Sequence, residues 1–244
     1  MSKTITNCEC SANVIILNSS KNSKTPEKSN TLAFFFVSNI ILLLIIILMN
    51  KLNEVFNRVK IISNYKKDII SILELGTHKG EFAKELYNRF KPTKMVLVDP
   101  WKYETEHIYQ KSWFGGSEMV FIGQSKQDKI YEDVKNMFKK EIDEKTIEIF
   151  RGNSDKFFKL NNVFFDLIYI DGNHLYDFIK KDLINSIKFI NQNGLIVCDD
   201  YNSVGWWKNG VTIAVNEILT KNNIKLLNYK EALITQQAVL KKKS

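Results

Sequence analysis

Two apolar runs in the C-terminal half of the chain end in the same way. "FFDLIYI" (164–170) is followed by Asp171, Gly172, Asn173 and His174, and "GLIVC" (194–198) by Asp199 and Asp200. Short apolar runs rich in β-branched and aromatic residues, stopped by turn residues, read as strands buried on both faces. Such strands belong to parallel sheets covered by helices. From residue 60 onward the chain keeps to that pattern. "IISILEL" (69–75), "KMVLVDP" (94–100) and "TIEIF" (146–150) are further strand-like runs. Between them lie helical stripes. Residues 80–90 align Phe82, Ala83, Leu86, Tyr87 and Phe90; residues 126–141 align Ile130, Val134, Met137 and Phe138; residues 174–191 align Leu175, Ile179, Leu183 and Ile187. Residues 211–222 form one more helix. "IKLLNY" (224–229) and "ALITQQAVL" (232–240) are too close for a helical crossover, so they are expected to pair as an antiparallel hairpin. The alternation specifies an α/β class with a mainly parallel sheet.

Parallel sheets bind ligands at the carboxyl ends of their strands, near the point where strand order reverses. Glu74, Gly76, Asp99, Asp171, Asp199 and Asp200 all fall at or just past strand ends. Any one of them alone reads as a loop carboxylate, a turn glycine or a helix cap; the set points to a site. "LELGTHKGEF" spaces its glycines as G-x-x-x-G, unlike the G-x-G-x-x-G of dinucleotide sites. Glu74 beside that loop would repel a pyrophosphate but suits a ligand bearing an amino group or positive charge. An acid at the end of the second strand, here Asp99, can accept both hydroxyls of a ribose.

Upstream the composition changes. Residues 1–30 form a polar tail rich in Ser, Asn, Lys and Thr, read as disordered. From Leu32 to Met49 only Ser38 and Asn39 are polar and no residue is charged. As a helix this stretch would be roughly 27 Å long, close to the ~30 Å hydrocarbon core of a bilayer. It lacks the polar face of a buried soluble helix and the cleavage site of a signal peptide. A single-pass transmembrane anchor over 31–50, with membrane contact through 32–49, is therefore expected. Basic residues flank it on both sides, so they do not set its orientation. No Asn-x-Ser/Thr sequon follows Met49, and only one cysteine does, which favours a cytosolic catalytic side. The net charge of +8 comes from lysines spread along the chain, not from an Arg-rich stripe, so no nucleic-acid partner is expected. Cys8, Cys10 and Cys198 make neither a disulfide framework nor a zinc pattern.

Taken in order, "ILELGTHKG", "VLVDP", "FFDLIYIDGNH" and "NGLIVCDDY" resemble the class I S-adenosylmethionine-dependent methyltransferases over about residues 65–240. The resemblance implies a Rossmann-like seven-stranded, mostly parallel sheet with a C-terminal antiparallel hairpin, preceded here by one transmembrane helix. The domains would be the tail 1–30, the anchor 31–50, a linker or N-terminal helix 51–64, and the methyltransferase domain 65–244. It further implies S-adenosylmethionine as cofactor, bound by Glu74, Gly76, Thr77, Gly80, Asp99 and Asp171, with Asn153, Ser154 and Asp155 flanking the adenine.

"IDGNHLYD" and "CDDY" also resemble a metal-dependent subgroup of catechol-type and macrolide or aminocoumarin sugar O-methyltransferases (methyltransferase family 24, macrocin O-methyltransferase-like). That resemblance implies Asp171, Asp199 and Asp200 as ligands of a divalent metal, Mg2+ in the first instance, which would lower the pKa of an acceptor hydroxyl. Catechol-type members carry a lysine base three residues after the first aspartate; here His174 stands there, and an imidazole of pKa about 6.5 can accept a proton near neutrality. Asp171 and His174 are thus the catalytic candidates. The alternatives are a metal-free N- or carboxyl-methyltransferase of the same fold, and a non-catalytic membrane-anchored binding module. Trp101, Tyr103, Tyr109, Trp113 and Phe114, with Gly115 and Gly116, look like a lid. With Trp206 and Trp207 they fit a small-molecule acceptor with a sugar or glycan ring.

Overall fold

In the computed structural model the strand ends that are scattered along the sequence lie side by side. The structure describes residues 40–45, 58–112, 114–115, 123–228 and 236–243. The chain divides into two units, Met1–Met49 and Asn50–Ser244. In the first, residues 40–45 are helical and their apolar side chains are exposed. The tail 1–30 and the rest of the expected anchor lie outside the described residues. Among the described residues no helix is long and apolar enough to cross a membrane.

The second unit holds seven strands: β1 Ser71–Leu75, β2 Lys94–Asp99, β3 Ile147–Arg151, β4 Phe165–Ile170, β5 Ile190–Cys198, β6 Ile224–Leu226 and β7 Ala238–Lys242. Their order is β3-β2-β1-β4-β5-β7-β6. The first five are parallel, and β7 runs antiparallel to both β5 and β6. The order reverses between β1 and β4, as the ligand-binding rule for such sheets requires.

Strand alternation explains why these runs are apolar throughout. Leu73, Leu75, Ile168, Ile170, Ile196 and Cys198 face one core with Phe157, Ile179, Leu183 and Val215. Ile72, Leu167, Tyr169, Leu195 and Val197 face the other with Ala83, Leu86, Val134 and Phe138. Helices cover both faces, so neither parity can be polar.

Three boundaries differ from expectation. The helix expected over 126–141 is Gln124–Met137 followed by Lys139–Asp143, interrupted at Phe138. The buried Phe138 ring sits 3.2 Å from where a Cβ on Gly80 would be, so it fills the space beneath the glycine loop. The helix after β4 runs Tyr176–Phe189, and β5 begins at Ile190, which pairs with Phe165 before the register shifts. The hairpin forms as expected, but β7 is centred later in the chain, because Ala238, Val239 and Leu240 are its buried residues.

Candidate active site

One row of paired residues crosses the sheet: Val98, Leu75, Ile170 and Cys198. The residues one step beyond that row are Asp99, Gly76, Asp171 and Asp199. Ladder bonds continue into them: Gly76 N–H donates to Val98 O (2.8 Å), Asp171 N–H to Leu75 O (2.8 Å) and Asp199 N–H to Ile170 O (3.0 Å). The acids at the strand ends therefore form a line across the switch point.

Gly76 has φ +94°, and a Cβ there would stand 2.1 Å from the carbonyl oxygen of Asp171. Only glycine lets the loop after β1 lie against the end of β4. Gly80, at φ +74°, opens the helix Glu81–Phe90. Between them His78 N–H donates to Asp99 Oδ2 (2.9 Å), while Trp101 N–H donates to Oδ1 (2.7 Å). The buried Trp101 indole donates back to His78 O (2.8 Å). Asp99 is thus fixed by two backbone donors, and each oxygen keeps a lone pair for a ligand hydroxyl. Desolvation pushes its pKa up to about 6, opposed by those donors.

Glu74 is buried on the same strand end, and its Oε2 has no hydrogen-bond partner among the described residues. Burial pushes its pKa up to about 8; Thr77 opposes the shift, and the charges of Asp171 and Asp99 add to it. A buried orphan carboxyl next to a tight glycine loop fits a ligand ammonium.

His174 is buried between two acids. Its Nε2 lies 3.4 Å from Asp171 Oδ1 and its Nδ1 lies 3.8 Å from Asp200 Oδ2. Nε2 makes no hydrogen bond among the described residues. The ring packs on Trp207 at 4.9 Å. Trp207 meets Trp206, and Trp206 meets both Tyr109 and Phe114, so rings from the segments after β2 and after β5 form one connected group. The Trp207 Nε1 is buried and has no hydrogen-bond partner among the described residues. Asn173 ties the group to β4 by donating to the Tyr109 hydroxyl (3.0 Å). Trp113 and Gly116 lie outside the described residues.

The matching family is described as a methyltransferase domain, and it covers residues 73–201, from β1 to just past the Asp199–Asp200 pair. The chain belongs to that family, the class I S-adenosylmethionine-dependent methyltransferases, and its fold resembles that of O-methyltransferases. The domain's fold is similar to that of the S-adenosylhomocysteine-bound methyltransferase PaMTH1 of Podospora anserina, at 15% identity over 78% of this chain and 76% of that one, TM-score 0.51. It is likewise similar to a candidate caffeoyl-CoA O-methyltransferase of Staphylococcus aureus, at 14% identity over 78% and 82%, TM-score 0.52. A protein of Acanthamoeba polyphaga mimivirus, described as uncharacterized protein R132, is 24% identical over 164 residues. The match takes in 65% of this chain and 63% of that relative, so the methyltransferase chain spans less than two thirds of the relative's length.

Glu74, Gly76, Thr77, Gly80, Asp99 and Asp171 are brought together at the switch point, and Asp199, Asp200 and His174 lie beside them. Asn153 and Ser154 follow Gly152, whose N–H donates to Asp99 O (3.0 Å), and both also have structural partners. Asn153 Oδ1 caps the helix Ser154–Leu160 by accepting from Lys156 N–H (2.8 Å), and the Ser154 hydroxyl hydrogen-bonds Asp182, whose pKa burial pushes up to about 7 against the opposing effect of that bond.

The acids do not fit a divalent ion in the way the sequence leads one to expect. Among the described residues no three His, Cys, Asp or Glu side chains are grouped so as to hold a metal. Asp199 Oδ2 is instead 2.8 Å from the guanidinium of Arg58, which lies over the Phe82 ring at 5.7 Å. Burial and the neighbouring Asp171 carboxyl hold the Asp199 pKa well above the usual carboxylate range, and Arg58 pulls it the other way. Arg58 escaped the sequence reading because a single basic residue in a presumed linker carries no pattern. Its neighbours Val59, Ile61 and Ile62, all buried, were the available sign that 58–65 packs on the domain.

Proposed function

We propose that the chain methylates a hydroxyl of a small acceptor, a sugar or similar ring, at the expense of S-adenosylmethionine. The observation that carries this reading is His174, a buried imidazole set between Asp171 and Asp200 whose Nε2 makes no hydrogen bond among the described residues. Glu74 would receive the ammonium of the cofactor, Asp99 its ribose, and the Gly76–Gly80 loop its methionine portion. When bound, S-adenosylmethionine supplies a methyl group whose C–S bond breaks as the acceptor's O–C bond forms, the electron pair staying on sulfur. His174 takes the hydroxyl proton at Nε2. Asp171 and Asp200 offset the charge that the imidazole acquires. A base so placed contributes about 10²- to 10⁴-fold, and orientation of the acceptor supplies much of the rest. The ring group Tyr109, Phe114, Trp206 and Trp207 offers apolar faces beside that base, and the Trp207 Nε1 offers a donor to an acceptor oxygen. Faces plus a few directed donors suit a ring bearing hydroxyls.

The test is an acceptor panel of sugars, catechols, amines and carboxylic acids. Oxygen acceptors are expected to turn over, and His174→Ala to lose about 10²-fold or more in kcat while still binding S-adenosylmethionine. Turnover of amines alone would contradict the reading.

The apolar stretch 32–49 we assign as a membrane anchor, on its length and lack of charge. The full chain should then pellet with membranes and resist alkaline carbonate, yielding only to detergent; release by carbonate would contradict the anchor.

A further inference from the structure

The acid cluster poses a charge problem. Asp171, Asp199 and Asp200 converge from the ends of β4 and β5, and a buried carboxylate with no cation is costly. Asp199 is the most enclosed of the three; its side chain is only 4% exposed, and its Oδ1 has no hydrogen-bond partner among the described residues. Among the described residues one positive group is paired with it. The Arg58 guanidinium approaches Oδ2 at 2.8 Å, with its own side chain 23% exposed, and Phe82 backs it at 5.7 Å. The helical segment that carries Arg58 is pinned to the domain by Val59, Ile61 and Ile62. This is a positioned contact, with an aromatic face and a carboxylate holding one guanidinium.

We infer that Arg58 is the resident cation of the strand-end acid cluster, and that it takes the place at Asp199 that a divalent metal would need. Arg58 acts as a positioning residue. It holds Asp199, and through Asp199 the carboxyl of Asp171, which faces His174. The inference deepens the O-methyltransferase reading and rests on it for its consequence in catalysis, but the occupancy of the cluster can be read without turnover. A guanidinium is fixed to the chain and always charged, so it neither dissociates nor competes with chelators. Methyl transfer should therefore proceed at the same rate in EDTA as in added magnesium.

The direct test is Mn2+ titration of the full-length protein, followed by electron paramagnetic resonance. The wild type is expected to leave the aqueous Mn2+ signal intact. Arg58→Met, which keeps a side chain of similar length over Phe82 but removes the charge, should bind Mn2+ about tenfold or more tightly. Arg58→Lys keeps a cation there and should behave as the wild type. Binding of S-adenosylmethionine, measured in parallel, reports that each variant is folded and keeps the cofactor reading separate. Tight Mn2+ binding by the wild type, unchanged in Arg58→Met, would overturn the inference. So would an Arg58→Met protein that binds the cofactor yet ignores Mn2+ as the wild type does.

Discussion

Glu74 shows how the site stores charge for its ligand. Its carboxyl has a pKa of about 8 in the folded chain against an ordinary value of 4.5. The folded state thus holds a proton that the unfolded state has lost between those values. Stability of the ligand-free protein should fall as pH rises from about 4.5 to 8 and level off above. Asp182, pushed up to about 7 by burial, adds the same sign over the lower part of that range. Glu74→Gln should flatten the part between about pH 7 and 8, as read by thermal unfolding. An ammonium arriving at Glu74 restores its charge and expels the proton. Calorimetry in two buffers of different ionisation enthalpy should therefore find proton release on S-adenosylmethionine binding at pH 7 in the wild type, and much less in Glu74→Gln. Equal release in both would count against Glu74 as the ammonium's partner. Glu74 was legible because an acid inside an otherwise apolar strand is a costly exception. Arg58 was not, because its meaning depends on where a packed helix carries it. The metal expectation, for which no three-ligand group stands among the described residues, was drawn from spacing, and spacing places three acids near one another but says nothing of a cation brought from elsewhere in the chain.

Among the elements, those whose position depends on hydrophobic period were read well. The five parallel strands and the helical stretches after β1, β2 and β4 follow from hydrophobic period, and the terminal hairpin from the short gap between its strands, whereas the short helix Ser154–Leu160 after β3 was not read. Ends were less legible, since Phe138 breaks its helix to fill a space under Gly80, and Ile190 leaves a helix stripe to start β5. The segments after β2 and β5 have no period, yet their aromatics meet. Tyr109 and Trp206 lie 5.6 Å apart, from loops separated by about half of the domain's sequence. If these rings form the acceptor wall, Trp206→Ala should raise the acceptor KM several-fold, the loss of about 1 kcal/mol of ring contact. The Kd for S-adenosylmethionine should stay as it was. An equal loss in both would mean that the ring group supports the fold instead of the acceptor.

For the whole molecule, the parallel sheet turns separate sequence motifs into one line of groups. Asp99, Gly76, Asp171 and Asp199 stand next to one another because Val98, Leu75, Ile170 and Cys198 are paired in register. The glycine loop and the acids then stand at one edge of the sheet, the arrangement that the proposed two-substrate transfer requires. The central claim is that this site moves a methyl group from sulfur to oxygen. The measurement that tests it most directly supplies S-adenosylmethionine labelled with 13C in the methyl group, together with a hydroxylated acceptor that the panel identifies, and locates the label in the product by NMR. The account predicts a labelled methyl ether and one S-adenosylhomocysteine per methyl transferred. A label on nitrogen, or cofactor bound but never consumed with any acceptor, would contradict it.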